Sequence, residues 1–399
     1  MTDDSTYLDY ASSTPLRDAA RTAAQAALDT FGDPLRIHGA GRTARTLLEG
    51  ARAAIAEGLG AQPDEIVFTS GGTESVSLAI WGTVRAIREL GTRIVVGGVE
   101  HPAVYGVGHA LETDGFEVVR VRVDDTGRVD LDEFASQVRV PGTVLASLQH
   151  ANHEIGTIQP IGEAARICRE AKVLFHTDAC QTAGRLPLDV SRLDVDLLSL
   201  SAHKFGGPAG AGVLFVRRGV GVAAYPCGDD RERKRRAGME NLPGVAGMTV
   251  AFTTALKELG DEAARLWTLT ERLGSGIAER VPHAALHGHR THRVPHIACF
   301  SVVGLDPETL MMALDDRGFR IGGGSLCSGA PGEPSPVLEA IGVPGTPSFP
   351  LSVGFDTTEA SVDALLEVLP GLVSQLQGVE ATSSEALGRF RVPGDADRG

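Results

Sequence analysis

Lysine is rare in this 399-residue chain, and every other basic side chain is arginine. The four lysines are Lys172, Lys204, Lys234 and Lys257. Three of them suit a surface: one ends a predicted helix, one lies in a charged loop, and one lies on an amphipathic helix. Lys204 alone follows a predicted strand and precedes the glycine-rich stretch Phe205–Gly210. It is therefore the candidate for chemistry that needs an amine, such as covalent bonding to an aldehyde.

Polar side chains also follow other predicted strands. The turn Thr69–Ser75 contains two glycines and leads into a helix, so its N–H groups and hydroxyls suit a phosphate, although such a turn can also be a plain helix cap. His101, His153 and Asp178 each follow a strand, and a single Asp there would by itself favour a capping role. The carboxyl ends of parallel strands meet at one edge of a sheet. Together with Lys204, these residues predict a pyridoxal phosphate site, in which a carboxylate keeps the pyridine nitrogen protonated.

The elements that must position these residues follow a βαβ pattern. Short β-branched apolar runs alternate with amphipathic Ala- and Arg-rich stretches between residues 19 and 251. The predicted strands are Glu65–Thr69, Arg93–Gly97, Glu117–Val121, Thr143–Ser147, Val173–His176, Leu197–Leu200 and Gly212–Val216. Helices are predicted at Glu74–Leu90 and Gly162–Glu170. We predict an α/β fold whose large domain, residues 16–251, is a doubly wound and mostly parallel sheet with helices on both faces.

A smaller α+β domain is predicted from residues 1–15 and 252–377. It begins with a long helical stretch that ends at Arg280, and a strand is predicted at Ile297–Val302. Further helices are predicted at Asp306–Arg317 and Ser361–Gln377. From residue 378 onward the composition turns to serine, glycine and charge, so residues 378–399 are predicted to form a flexible tail.

Cys327 lies in the segment Ser325–Gly329, directly after a glycine run. The other four cysteines neighbour apolar or structural positions, so Cys327 is the candidate nucleophile, because a thiolate must be accessible to react. Without a cofactor site it would be a loop cysteine of no known role. Five cysteines without paired spacing predict no disulfide framework and favour a reducing cytoplasm.

The histidines between His283 and His296 could in principle surround a metal ion. No cysteine or acidic residue is interleaved with them, and Pro282 and Pro295 restrict the backbone at both ends. We therefore predict no metal site.

The net charge of −14 argues against direct binding of nucleic acid, because phosphates need clustered positive charge. The one dense basic run, Arg231–Arg236, follows two aspartates and is predicted to be a solvated loop. The acidic first residues do not resemble a secretion signal, and no apolar run approaches the roughly 20 residues that span a bilayer. We expect a cytoplasmic protein that does not enter a membrane.

These motifs resemble the cysteine desulfurases of the class V aminotransferase group, which are pyridoxal phosphate enzymes of fold type I. The resemblance runs from Tyr7–Pro15 to about Thr358. The matching segments between these ends are Ile66–Ser75, Glu100–His101, Asn152–Gly156 and His203–Lys204. The segment Gly324–Ser328 is similar to that of the long-loop branch, which serves iron–sulfur assembly and nucleic-acid thiolation and includes the type that serves DNA phosphorothioation.

The resemblance implies a role for each site residue. The implied cofactor residues are Gly72, Thr73, His101, His153, Asp178, Gln181, Ser201, His203 and Lys204. His101 would stack on the pyridine ring and move protons, Asp178 would pair with the ring nitrogen, and Gln181 would contact the phenolic oxygen. Asn152 would contact the substrate, L-cysteine, and Cys327 would take its sulfur as a persulfide while alanine leaves. The resemblance also implies a homodimer and a protein that accepts the persulfide.

Four positions depart from the family pattern. His153 replaces an asparagine but can still donate a hydrogen bond, and Met239 replaces a threonine that reaches the phosphate of the partner subunit. Asp33 replaces an asparagine that helps to hold the substrate carboxylate, and Pro350 replaces the arginine that clamps it. We expect Arg36 to supply a substitute cation.

Other functions stay open at this point. The altered carboxylate clamp is compatible with a pyridoxal phosphate lyase or transaminase that acts on another amino compound. The fold could also serve as a non-catalytic scaffold, although intact Lys204, Asp178, His101 and Cys327 favour an enzyme. No motif selects among iron–sulfur assembly, tRNA thiolation and DNA phosphorothioation.

Overall fold

The computed structural model describes residues 5–323 and 335–389. A seven-stranded sheet forms the centre of its large part, in the order β2-β8-β7-β6-β5-β3-β4. Its strands are β2 (Ile66–Thr69), β3 (Arg93–Gly97), β4 (Glu117–Val121), β5 (Thr143–Ser147), β6 (Leu174–Asp178), β7 (Leu197–Ser201) and β8 (Gly212–Val216). Only β8 runs antiparallel to its neighbours. Most of these strands are buried along their whole length, which explains why they appear as continuous apolar runs in the sequence.

Two smaller groups of strands form the second part of the fold. They are β1 (Thr6–Leu8), β9 (Ala284–His287), β10 (Ile297–Val302), β11 (Phe319–Ile321) and β12 (Phe349–Ser352). β12, β10 and β9 form an antiparallel sheet, and β1 pairs with β11 in parallel. Residues near the start of the chain therefore pack with residues more than 300 positions later.

Helices cover both faces of the large sheet and surround the small one. They are α1 (Asp18–Leu28), α2 (Gly39–Leu59), α3 (Gly72–Ser77), α4 (Thr83–Ala86), α5 (Pro102–Thr113), α6 (Leu131–Val138), α7 (Ile161–Ala171), α8 (Val190–Leu193), α9 (Arg231–Lys234), α10 (Leu242–Arg280), α11 (Pro307–Asp315), α12 (Pro336–Ala340) and α13 (Glu359–Arg389). None of the described helices has the length and apolar character needed to cross a membrane.

The apolar core is divided between the large sheet and the small sheet. One apolar cluster packs α2, α7 and part of α10 against one face of the large sheet, and another packs α3, α4 and α5 against the opposite face. A separate cluster joins β1 to the small sheet and α13. Helix α10 contributes Ala255 to the first cluster and Leu266 to the separate one, so a single helix connects the cores. The predicted boundary at residues 251 and 252 falls inside this helix.

The structure confirms the predicted fold class, and its largest differences from the predicted elements lie in three places. The stretch predicted as one helix, Glu74–Leu90, is divided into α3, a π turn at Leu78–Gly82, α4 and a 3-10 turn. Helix α10 begins at Leu242, where Asn241 caps it, rather than near residue 252. Helix α13 runs past residue 378 to Arg389, and the rest of the predicted tail lies outside the described residues.

Candidate active site

The carboxyl ends of the parallel strands surround a cavity of about 150 Å³. Asp178 ends β6, Ser201 ends β7, and His101 caps the start of α5 after β3. All the cofactor residues that the resemblance implies line this cavity, namely Gly72, Thr73, His101, His153, Asp178, Gln181, Ser201, His203 and Lys204. The sheet therefore brings together residues that are far apart in sequence, at the edge where α/β folds bind ligands.

Lys204 lies in the 3-10 turn that follows β7. Its Nζ donates hydrogen bonds to the carbonyl oxygens of Ala11 at 2.6 Å and Ser12 at 2.8 Å. Both carbonyls belong to the N-terminal segment, which continues from β1 toward α1. Both of these hydrogen bonds hold the amine at the cavity wall.

One end of the cavity is shaped for a close-fitting group. A Cβ atom on Gly72 would lie 2.8 Å from Sγ of Cys180 and 3.2 Å from Cβ of Ser201, so a side chain there would fill the cradle. Oγ of Ser201 lies 3.6 Å from the same Cβ position, and Thr73, the next residue in the chain, also lines the cavity. Free N–H groups, hydroxyls and the close approach of the backbone suit the phosphate of pyridoxal phosphate.

Glu74 lies in the first turn of α3, which begins at Gly72. Its Oε1 accepts from Nε of Arg236 at 2.9 Å, and its Oε2 accepts from the backbone N–H of Ser70 at 2.8 Å. Burial acts to raise the pKa of Glu74, but these two bonds outweigh it and lower the pKa. Arg236 therefore compensates the acidic charge of Glu74, next to Thr73 in the chain.

The cavity also carries groups that suit an aromatic ring. His101 and His153 meet edge to face with ring centroids 5.2 Å apart, and Asp178 accepts from the N–H of Cys180 at 2.9 Å. Burial lowers the pKa of His101, and burial followed by the charges of His101 and Lys204 lowers the pKa of His153 to about 3. Nδ1 of His153 is buried without a hydrogen-bond partner, which fits a polar atom of a bound group.

The tautomer of His101 follows from its hydrogen bond. Nδ1 accepts from the backbone N–H of Ala103 at 3.1 Å, so the ring proton of the neutral form lies on Nε2. Gln181 is oriented by similar contacts: its Nε2 donates to Ala11 O at 2.8 Å, and its Oε1 lies 3.3 Å from Nε2 of His296. These bonds fix both side chains at the cavity wall.

A second cavity adjoins the first and shares Lys204, His101 and His153 with it. Its other walls come from the N-terminal segment, β11 and β12, and they include Asp9 and Pro350. Asp9 was not among the predicted site residues, although it lies in the motif Tyr7–Pro15 that carries the resemblance. Burial raises the pKa of Asp9 to about 6, against the opposing effect of Lys204.

Two predicted substrate residues lie elsewhere. Asn152 is buried, and its Oδ1 accepts from the backbone N–H groups of Glu154 and Ile155 at 2.9 and 2.8 Å. Arg36 is 68% exposed and pairs with Asp33 at 3.4 Å. Neither is among the described residues that line the two cavities.

Asp33 is occupied by an ion-pair network that the sequence did not reveal. It accepts from Arg231 at 2.7 Å, and Arg231 also pairs with Asp229 and Glu240. The backbone N–H of Leu35, followed by Arg231, lowers the pKa of Asp33. The prediction that the basic run is a solvated loop was wrong for Arg231, which is only 6% exposed.

Cys327 lies outside the described residues. Of the others, Cys168 and Cys299 are buried, Cys227 is exposed, and Cys180 borders the cofactor cavity. Burial raises the pKa of Cys180 well above that of a free thiol, so this neighbour of the cofactor site stays protonated and weakly nucleophilic.

Members of the histidine cluster hydrogen-bond with their surroundings. His287 Nε2 lies 2.7 Å from Oγ of Ser301, and Nδ1 of His289 accepts from the backbone N–H of His292 at 3.0 Å. Within residues 5–323 and 335–389, no group of three or more His, Cys, Asp or Glu side chains could hold a metal ion.

Comparison with known proteins agrees with this geometry. The profile of the family described as aminotransferase class-V matches residues 6–365. The chain belongs to this family. A cysteine desulfurase IscS of Dictyoglomus turgidum is 41% identical over 383 residues, which cover 95% of this chain and 97% of the relative.

Solved structures support the same fold. A NifS-like protein has a TM-score of 0.87 and 31% identity, covering 93% of this chain and 100% of its own. SspA in complex with cysteine has a TM-score of 0.74 and 29% identity, covering 87% of this chain and 98% of its own. The chain is thus a cysteine desulfurase that depends on pyridoxal phosphate. Its fold is that of the fold-type I enzymes.

Proposed function

We propose that Lys204 bonds covalently to pyridoxal phosphate and that Cys327 receives the sulfur of the substrate as a persulfide. The observation that carries the proposal is the position of the Lys204 amine, on the shared wall of the cofactor cavity and the adjoining cavity. When bound, pyridoxal phosphate withdraws electrons from the substrate Cα and so permits cleavage of the carbon–sulfur bond. The chain's own residues hold the reactants and move protons.

Each residue that the resemblance implies for the cofactor then has a role. Gly72, Thr73, Ser201 and His203 hold the phosphate. Asp178 holds a proton on the pyridine nitrogen, while Gln181 and His153 contact the polar edge of the ring. His101 stacks on the ring and carries its exchangeable proton at Nε2, the atom that its contact with Ala103 leaves available.

Sulfur transfer needs no external oxidant. The carbon–sulfur bond of cysteine breaks, a sulfur–sulfur bond forms at Cys327, and the former thiol-bearing carbon gains a hydrogen to give alanine. The carbon is reduced as the sulfur is oxidised, so the electrons balance within the two reactants. A thiolate at Cys327 is the nucleophile in this step.

We propose a homodimer in which a second copy of the chain covers an apolar surface near the site. Phe31, Ile37 and Met239 are 80%, 86% and 60% exposed in the single chain. The loops that carry them are joined by the Asp33–Arg231 ion pair. A groove lined by Trp81 and Tyr225 borders the cofactor cavity on the side of His101 and also favours a covering partner.

The sulfur acceptor is proposed to be a protein in the cytoplasm. The charge of −14 supports an acceptor other than free nucleic acid, because repulsion opposes binding to phosphates. The persulfide sulfur would serve iron–sulfur assembly, tRNA thiolation or DNA phosphorothioation. The identity of the acceptor protein determines which of these processes receives it.

The proposed function can be tested by incubating the purified protein with L-cysteine and dithiothreitol and measuring the alanine and sulfide that form. We expect equimolar products from the native chain, and loss of both from Lys204→Ala and Cys327→Ser. Borohydride treatment should fix the cofactor to the native chain but not to Lys204→Ala. Pyruvate or another keto product in place of alanine would instead identify a lyase or transaminase, and the absence of any product with bound cofactor would identify a scaffold.

A further inference from the structure

The hydrogen bonds of Gln181 fix the direction in which its amide group faces. Gln181 lines the cofactor cavity and is only 6% exposed. Its amide nitrogen donates to the carbonyl oxygen of Ala11 at 2.8 Å, because a carbonyl oxygen can only accept. The amide oxygen therefore faces Nε2 of His296, at a distance of 3.3 Å. The amide nitrogen carries a second hydrogen, and this N–H can donate to a group bound in the cavity.

The contact with Gln181 also determines the tautomer of His296. An oxygen acceptor faces Nε2, so Nε2 carries the ring proton and donates it in a hydrogen bond. Nδ1 is then the unprotonated nitrogen, and it is buried without a hydrogen-bond partner among the described residues. Within this part of the chain, the bond to Gln181 is therefore the hydrogen bond that orients the ring.

The charges around His296 keep its ring neutral. Its charged neighbours are Arg185 in the segment after β6, Lys204 in the turn after β7, and Arg293 in the loop before β10. Burial is the main effect and these three cations add to it, so the pKa of His296 lies well below its ordinary value. A neutral ring carries one proton, so donation from Nε2 does not change between pH 6 and pH 9.

His296 belongs to the small sheet, whereas Gln181 follows β6 of the large one. His296 directly precedes β10, and its carbonyl oxygen accepts from the N–H of Val353, directly after β12, at 2.9 Å. The preceding carbonyl oxygen, that of Pro295, accepts from the hydroxyl of Thr270 on α10 at 3.0 Å. The backbone that carries the imidazole is thus held by elements of the second part of the fold. The ring reaches from there to the wall of the cofactor cavity.

We propose that His296 is a positioning residue for the cofactor: its Nε2–H holds the amide of Gln181 so that the second N–H of this amide donates to the phenolic oxygen of pyridoxal phosphate. The inference rests on the proposed function and adds a residue to that site. A donor at the phenolic oxygen stabilises its anionic form, so it lowers the pH at which the bound cofactor loses the proton near this oxygen. Without the bond from His296, the amide of Gln181 is no longer held, and that pH rises.

The test measures the pH midpoint of the change in visible absorbance of the purified protein with bound cofactor. We expect His296→Phe, which keeps a ring but has no donor, to raise the midpoint by about 0.5 to 1 pH unit, as for the loss of one hydrogen bond. His296→Gln should restore the native midpoint, because its amide nitrogen can occupy the position of Nε2. The matched control is His287→Phe, since His287 lies in the same small sheet and its Nε2 contacts Ser301. This control should leave the midpoint unchanged.

A double variant separates positioning from a general structural effect. In the Gln181→Met background, the further change His296→Phe should leave the midpoint unchanged, because the donor that His296 holds is already absent. Three results would each overturn the inference: an unchanged midpoint in His296→Phe, an equal shift in His296→Gln, or the same shift in both backgrounds.

Two further measurements keep these outcomes separate from misfolding and from failure of the proposed function. Thermal unfolding establishes that each variant is folded, and His296→Asn replaces His296→Phe where the latter does not fold, because its shorter amide does not reach Gln181. Failure of borohydride to fix the cofactor to Lys204 in the native protein overturns the proposed function as well. An unshifted midpoint in a protein whose Lys204 is fixed to the cofactor overturns this inference alone.

Discussion

The Nζ atom of Lys204 donates a hydrogen bond to the carbonyl oxygen of Ala11 at 2.6 Å. The same carbonyl accepts from Gln181, and the N–H of Ala11 donates to Oγ of Ser352 on β12. One peptide of the N-terminal segment therefore connects the reactive amine, the cofactor wall and the small sheet. The resting position of Lys204 depends on a segment that lies almost 200 residues earlier in the chain.

His153 should contribute a hydrogen bond, and its protonation state should not change between pH 6 and pH 9. Its pKa is lowered to about 3, mainly by burial, so the ring is neutral throughout this range. We expect His153→Asn to lower kcat/KM by roughly two- to tenfold, as expected for one altered hydrogen bond. The pH values at which kcat/KM falls to half its maximum should not move. A shift of either value by one pH unit in steady-state assays would contradict this.

Much of the fold could be predicted from the sequence because its strands are local features. The observed bounds of β3, β4, β5, β8 and β10 agree with the predicted ones, since buried strands appear as short apolar runs. The π turn within the stretch Glu74–Leu90 could not be predicted, because the spacing of apolar residues does not distinguish a π turn from an α-helical turn.

The sequence could predict that Lys204, His101 and Asp178 lie at one cavity, because each follows a strand, whereas it could not predict the adjoining cavity. Asp9 reaches this cavity through the pairing of β1 with β11, a long-range contact that leaves no local pattern. The burial of Arg231 has the same origin, since its partner Asp33 lies about 200 positions earlier. A run of charged residues by itself predicts a solvent-exposed segment. The burial of Arg231 becomes evident only when the fold shows its ion-pair partners.

Arg236 should support cofactor binding by neutralising Glu74. Without the guanidinium, the Glu74 carboxylate next to Thr73 would repel the cofactor phosphate, and we expect Arg236→Ala to raise the Kd for pyridoxal phosphate about tenfold, or about 1.4 kcal/mol. Titration of the apoprotein by absorbance measures this. The double variant Glu74→Gln/Arg236→Ala should recover to within about threefold of the native value. An unchanged Kd in the single variant would show that Arg236 has no such role.

The buried pair of Arg52 and Glu232 should stabilise the loop that carries Arg236. Their side chains are 3% and 1% exposed, and Glu232 also accepts from the backbone N–H of Phe68 at 2.8 Å. Arg52→Ala would leave a buried carboxylate unpaired, and we expect a loss of about 3–5 kcal/mol in the free energy of unfolding. The matched control is Arg218→Ala, because Arg218 pairs with Asp64 at the surface, where solvent screening leaves such pairs a small contribution. Equal losses in urea unfolding would contradict the difference in burial.

Asp9 should make the native protein less stable as its carboxyl group ionises. Burial raises its pKa from 3.8 to about 6, so the folded chain holds the proton more tightly than the unfolded chain. Well below pH 3.8 both states are protonated at Asp9, and Asp9 contributes no difference. As the pH rises from there to above 6, the folded state loses up to about 3 kcal/mol of stability relative to the unfolded state. Asp9→Asn removes this loss, so it should be more stable than the native chain at pH 8 and equally stable below about pH 3 by urea unfolding. A native chain as stable as Asp9→Asn at pH 8 would refute the assignment.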